Sequence, residues 1–416
     1  MSTSQYQSHP IKKTLQNMRK DIFHCIVFAF MALTMTSCGG DDGLNKTSVP
    51  TDTYDQDEDE TPAVIGDDYV YQLPVIFHVL YKDEKDKTQY VDAARFKTIL
   101  NNVNELYQGN VYGQSEDIKV RFVLAQQDEN GNNLDTPGVR YVKWTESYPI
   151  APKEFMGDNS GKNAKYIWDP NDYINVMVYN FKDTDNSSTL LGLSHTPYTI
   201  SNNQELEGLH PINTTYISKS LIKFPYSLSI NSTYINSESS RYTIDKRKTT
   251  YTYQPEDINT TLAHELGHYL GLFHAFSEED GETSDNCKDT DYCKDTPSYN
   301  RVEYNDYLTN YISNIIFPSQ FKLADLIRRT NCDNLTFIST NIMDYDMGHS
   351  NQFTPEQKQR MRHVLYYSPL IPGPKKNGAN KNNRRNMPSR SGANEQPLDL
   401  PIHFTVCETT PLKVVK

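Results

Sequence analysis

One stretch of the chain could hold a metal ion and use it: His264-Glu265-Leu266-Gly267-His268-Tyr269-Leu270-Gly271-Leu272-Phe273-His274. On a helix, side chains four apart share a face, so His264 and His268 can present imidazoles to one ion. Glu265 lies beside that face. It is near enough to take a proton from a water at the metal and too oblique to be a ligand. His274 can reach the same ion only if the chain turns after the helix. Gly271 supplies that turn, because glycine adopts positive φ without a Cβ clash. Three neutral imidazoles leave a coordination position open, the pattern of a catalytic rather than a structural zinc site. Two helical histidines flanking a glutamate would be weak on their own. The glycine and the third histidine in register make the pattern specific.

Something must position these groups. Ile258, Leu262, Leu266 and Leu270 recur every four residues and give the histidine helix a core-facing side. Its start is expected near Pro255, since Pro-Glu-Asp suits a first helical turn. Upstream, Leu73 to Tyr81 reads as a buried strand, and Asp92 to Tyr107 as a helix with its stripe at Phe96, Ile99, Leu100, Val103 and Leu106. Ile118 to Ala125, Val139 to Trp144 and Tyr173 to Phe181 alternate as further strands. The polar stretch 201–253 suggests irregular strands and a large loop. Thr354-Pro355-Glu356-Gln357 has the form of a capping box opening another helix. The expected fold is a single α/β domain over 69–370: a twisted mixed sheet with a backing helix and an active-site helix, then an irregular C-terminal part. Beyond Pro369 periodicity is lost, so 371–416 is expected to be a mostly disordered tail.

The net charge of −12 leaves no basic excess for phosphates and argues against nucleic-acid binding. A mean hydropathy of −0.70 is too polar for an integral membrane protein. Near the start, Arg19 and Lys20 precede an apolar run, Ile22 to Met35, which ends at Thr36-Ser37-Cys38-Gly39-Gly40. That run is too short to span a bilayer and reads as an export signal, with Cys38 placed as the lipidated first residue of a bacterial lipoprotein. A simple cleaved signal peptide is the plainer alternative, and Met18 could be the start of translation as well as Met1. Residues 39–68 are acidic and small, so they are expected to be a disordered linker. The protein is therefore expected to be exported and held on the outer membrane by lipid, exposed at the cell surface, acting as a monomer on protein or peptide substrates. With Cys25 removed and Cys38 lipidated, Cys287, Cys293, Cys332 and Cys407 remain. Four cysteines allow three pairings, and the sequence does not choose among them. A bridge from Cys287 or Cys293 to Cys332 is preferred because all three flank the histidine motif.

The eleven-residue histidine pattern resembles the signature of metzincin peptidases, and Asn341-Ile342-Met343-Asp344-Tyr345 looks like their Met-turn. The resemblance implies that Met343 packs beneath the metal and that Tyr345 contacts the metal or the scissile-bond oxyanion as a second catalytic residue. Within the metzincins the chain is most similar to the pappalysin (cytophagalysin) family. The features that carry this are Asp291-Tyr292-Cys293-Lys294-Asp295-Thr296-Pro297, then Phe353 to Gln357 with Arg360-Met361, and the opening strand and helix. The likeness runs over roughly residues 70–368. It implies zinc, and it makes Asp291 and Thr296 candidate calcium ligands; the plainer reading of that segment is a turn closed by its own hydrogen bonds. Two departures matter. Position 293 is Cys where the family has Val, and His349 stands where members that prefer a basic side chain carry an acid, so that preference is not carried over.

These readings together imply a zinc-dependent endopeptidase with Glu265 as general base. The alternative is a surface-anchored binding or adhesion lipoprotein with a vestigial metal site. A zinc hydrolase acting on non-peptide substrates would share the motif.

Overall fold

The structure is a computed structural model; it describes residues 65–182, 189–201, 204–244, 252–279, 281–315, 322–345, 347–376 and 397–409. The export segment, Cys38 and most of the acidic linker lie outside the described residues.

A seven-stranded sheet organises the chain. In chain order its strands are β1 (Tyr71–Tyr81), β2 (Val120–Leu124), β3 (Val139–Lys143), β4 (Ile174–Tyr179), β5 (Thr189–His195), β6 (Leu228–Asn231) and β7 (Phe404–Thr409). The spatial order is β7-β5-β6-β4-β1-β2, with β3 pairing the second half of β1 beyond β2. β1, β2, β3, β4 and β6 are parallel, whereas β5 runs antiparallel to β6 and β7 antiparallel to β5. β4 is buried throughout, as a central strand covered on both faces must be. Its polar Asn175 is tolerated there because Oδ1 meets His78 Nε2 at 2.9 Å and accepts from the Trp168 amide at 2.7 Å.

Helix α1 (Ala93–Gln108) turns Phe96, Ile99, Leu100, Val103, Leu106 and Tyr107 to the core. The histidine helix α2 (Ile258–Tyr269) lies against α1 and against β5 and β6. Two further helices, α3 (Arg301–Ser313) and α4 (Pro355–Tyr367), follow. Helix α4 opens with the expected capping box: Thr354 accepts from the Gln357 amide while Gln357 reaches back to the Thr354 amide. Among the described residues no helix is long and apolar enough to cross a membrane.

The structure corrects three expectations. Helix α2 does not begin at Pro255; residues 255 and 256 form a turn, and Asp257 caps the helix by accepting from the Asn259 and Thr260 amides. The stretch 201–253 contains β6, a central strand whose short polar sequence Leu-Ser-Ile-Asn hides it from pattern reading. Part of the expected disordered tail is ordered: residues 371–376 pack on the domain, and β7 extends the main sheet. β7 carries little hydrophobic periodicity because ladder hydrogen bonds hold it at an edge, and these are blind to side-chain type. Residues 377–396 and 410–416 lie outside the described residues.

Candidate metal centre and catalytic groups

Helix α2 ends where the site needs it to. The Gly271 amide donates to His268 O and the Leu272 amide to Gly267 O, each at 2.9 Å, and Gly271 has φ +93°. This double closure around a left-handed glycine is the Schellman stop. A Cβ at Gly271 would also lie 2.7 Å from Val364 Cγ2 of α4. Arg360, also on α4, clamps the turn by donating from Nε to Gly271 O at 2.6 Å and from Nη2 to Glu207 O at 2.6 Å. The chain then brings His274 back over the helix.

The result is a cage. The Nε2 atoms of His264, His268 and His274 lie 2.9, 3.0 and 3.2 Å apart. Each ring is steered from its other nitrogen: His264 Nδ1 sits 2.8 Å from Ile342 O, His268 Nδ1 2.8 Å from Leu272 O, and His274 Nδ1 2.7 Å from Glu278 Oε1. Carbonyl and carboxylate oxygens only accept, which assigns the ring proton to Nδ1 in all three. Three Nε2 lone pairs then converge with no donor among them, an arrangement that a cation satisfies. The residues fit zinc, whose ligating histidines carry this kind of outer partner. Burial and the neighbouring imidazole of His274 lower the His264 pKa to about 3, and burial foremost depresses His268 further, so both rings stay neutral and able to ligate.

The Met-turn forms the floor. Met343 is fully buried, and its Sδ would lie 2.5 Å from a Cβ at Gly267. Position 267 therefore needs glycine for the methionine to sit beneath the helix. The turn is fixed by Asn341, whose Oδ1 accepts from the Met343 amide and whose side-chain amide pairs with Gln357. Tyr345 stands over the cage, its ring 4.3 Å from that of His274 and 5.7 Å from that of His264. Asp344 anchors it from behind, accepting from Tyr299 at 2.5 Å and lying 3.5 Å from Arg329 Nε. Arg329 in turn donates to Tyr345 O and Met347 O.

Glu265 is fully buried, and neither carboxylate oxygen has a hydrogen-bond partner. Burial alone raises its pKa well above the usual carboxylate range. Its Oε1 approaches Gly192 of β5, where a Cβ would come within 2.4 Å. An unpartnered buried carboxylate is costly unless it serves a ligand, so Glu265 marks the reacting point.

Sequence reasoning did not single out Gly192, Glu278 or Arg329, because each is defined by a partner far along the chain. Asp291 and Thr296 are drawn to each other: Thr296 Oγ1 donates to Asp291 Oδ2 at 2.5 Å, and Asp291 Oδ1 accepts from the Cys293 amide. This is the turn reading of that segment. Of the permitted cysteine pairings, Cys287–Cys332 is formed, and Cys293 and Cys407 are buried outside it.

Residues 231–366 match the Peptidase_M43 family model, Pregnancy-associated plasma protein-A. That stretch contains the histidine helix, the Met-turn and most of α4. The chain is also similar to solved structures of mirolysin. One, mature mirolysin from Tannerella forsythia in complex with a cleaved peptide, is 21% identical with a TM-score of 0.44, and the match covers 70% of this chain and 90% of that one. Another, mirolysin in complex with compound 9, is 20% identical with a TM-score of 0.45, covering 71% and 92%. No curated protein matches the chain.

Proposed function

We propose that the chain, whose residues 231–366 match the Peptidase_M43 family model, is a zinc-dependent endopeptidase in which His264, His268 and His274 hold the metal and Glu265 is the general base. The observation that carries the reading is the pairing of a lone-pair cage with an unpartnered buried carboxylate one residue away on the same helix. When bound, zinc would supply Lewis acidity to a carbonyl oxygen and acidify a water.

The chain's own groups then divide the work. Glu265 accepts the proton of the attacking water and afterwards delivers it to the leaving amine nitrogen. Tyr345 keeps its phenol protonated, because burial raises its pKa well above 10, and can donate to the tetrahedral oxyanion. Arg301 lies over the Tyr345 ring with its guanidinium 4.5 Å from the centroid and steadies it. A substrate would lie extended in a cleft across the front of the histidine helix. We further propose export and lipid anchoring at Cys38, which would put this chemistry outside the cytoplasm.

Cleavage of casein or of a mixed peptide library by the full chain tests the reading. Cleavage that stops with a chelator and returns with zinc supports it. Zinc binding without peptide cleavage under any condition would favour the adhesion or non-peptide readings.

A further inference from the structure

The three histidines are not held alike. His264 and His268 set their Nδ1 atoms against the backbone carbonyls of Ile342 and Leu272, one in the Met-turn and one in the stop of the histidine helix. His274 instead meets a carboxylate, Glu278 Oε1, at 2.7 Å. A carbonyl in a packed turn is fixed with its backbone, whereas a glutamate side chain must also be frozen among its rotamers. It is placed only as well as the loop that carries it. That loop has no core of its own: among the described residues from 278 to 290 none is buried. Polar contacts hold it. The Glu278 amide donates to Thr290 Oγ1 at 3.0 Å, and Ser277 Oγ donates to Lys288 O at 2.6 Å while accepting from the Lys288 amide at 2.8 Å. A segment with so little burial opens at low free-energy cost.

A covalent link limits that opening. Cys287, directly before Lys288, is bonded to Cys332. Cys332 follows the short strand Arg328–Thr330, which pairs antiparallel with Thr336–Ile338. Arg329 of that strand is buried and donates to Tyr345 O and Met347 O, so this hairpin is tied to the Met-turn. The bridge thus joins the loop that seats Glu278 to the element that also carries Ile342, the partner of His264. We propose, resting on the zinc reading of the cage, that His274 is the releasable arm of the metal site, that Glu278 is the residue positioning it, and that the Cys287–Cys332 bridge clamps Glu278 in place. Metal retention then depends on a bond outside the cage. The carboxylate holds the His274 ring with Nε2 towards the other two and raises its basicity as a ligand. When the loop opens, the ring loses that partner, while His264 and His268 keep theirs.

The test measures the zinc dissociation constant of the full chain by competition with a chromophoric chelator, with no peptide present. Glu278→Ala should raise it about 10- to 100-fold, the range for removing the outer partner of a ligating histidine. Glu278→Gln should raise it less, because the amide oxygen still accepts from Nδ1–H. Glu279→Gln, at the exposed neighbour, should leave it unchanged. Replacing both bridge cysteines, Cys287→Ser with Cys332→Ser, should raise the constant about fivefold or more. The same replacement should add nothing in the Glu278→Ala background, because the bridge acts through that side chain. Thr290→Val removes the hydroxyl that holds the Glu278 amide and should show the same non-additivity, which keeps the clamp testable if the bridge variant does not fold. An unchanged constant in Glu278→Ala overturns the role of Glu278, and a loss in Glu278→Gln as large as in Glu278→Ala overturns positioning by hydrogen bond. Effects of the bridge and of Glu278 that multiply overturn the clamp. Weakened zinc binding in Glu278→Ala, with no peptide cleavage by any chain, would uphold the proposal while sinking the peptidase reading. Cleavage by the wild-type chain with an unchanged constant in Glu278→Ala would do the reverse.

Discussion

Replacing Gly192 with alanine tests whether the position of Glu265 controls turnover. The new Cβ would sit 2.4 Å from Oε1, 2.7 Å from Cγ and 2.8 Å from Cδ of Glu265, against an ordinary contact limit of 3.4 Å. Glu265 is fully buried, so it has no solvent to swing into. The carboxylate, or the strand, must give by roughly 1 Å before repulsion is relieved. A misplacement of that size costs about 100-fold in rate, or about 3 kcal/mol of barrier. The histidines should be spared, because the three atoms nearest the new Cβ all belong to Glu265. Gly192→Ala should therefore lower kcat on a fluorogenic peptide while zinc content, read by metal analysis, stays at one per chain. An unchanged kcat in Gly192→Ala would refute the claim that Glu265 is tightly positioned, and loss of zinc would refute the claim that the two functions are separable.

Two stability predictions accompany it. His78 and His195 are buried and held neutral, with pKa values lowered by burial to about 3 and about 4 from 6.5. A depressed folded-state pKa contributes stability above the unfolded value and loses it as pH falls, so resistance to urea should decline below about pH 6.5 at up to about 1.4 kcal/mol per pH unit for each histidine. A urea midpoint that does not move between about pH 7 and about pH 5 would contradict this. The Cys287–Cys332 bridge closes a loop with a sequence separation of 45 that includes Asp291, Thr296 and α3. On loop-closure entropy its reduction should cost about 4 kcal/mol; identical urea curves with and without a reductant would argue that the loop is held by other contacts.

Much of the site was legible from local spacing, and what was not legible is physically distinct. The convergence of His264 and His268 follows from helical geometry, and the return of His274 from the left-handed turn at Gly271. Both are properties of one short segment. The capping box at Thr354 is likewise local. Glu278, Gly192 and Arg329 matter through contacts that no periodicity encodes. Glu278 orients a histidine four residues before it across a turn, Gly192 is defined by absence of a side chain, and Arg329 is a charged residue whose burial is compensated by Asp344 and four backbone carbonyls. β6 and β7 escaped notice for a related reason. Short strands held by ladder hydrogen bonds need no alternation, and β7 meets its partner β5 from the far end of the sequence. Its placement turns part of the C-terminal region from a tail into a strand of the main sheet.

The account rests most heavily on Glu265, and Glu265→Gln examines it with almost no change of shape. The amide keeps the size of the carboxylate but cannot accept and return a proton. Zinc should remain at one per chain by metal analysis, because the cage of three histidines is untouched. Peptide turnover should fall by about 1,000-fold or more, within the range general acid–base catalysis supplies. Turnover in Glu265→Gln equal to its parent would contradict the assignment of the base and, with it, the reading of the site as a peptidase centre.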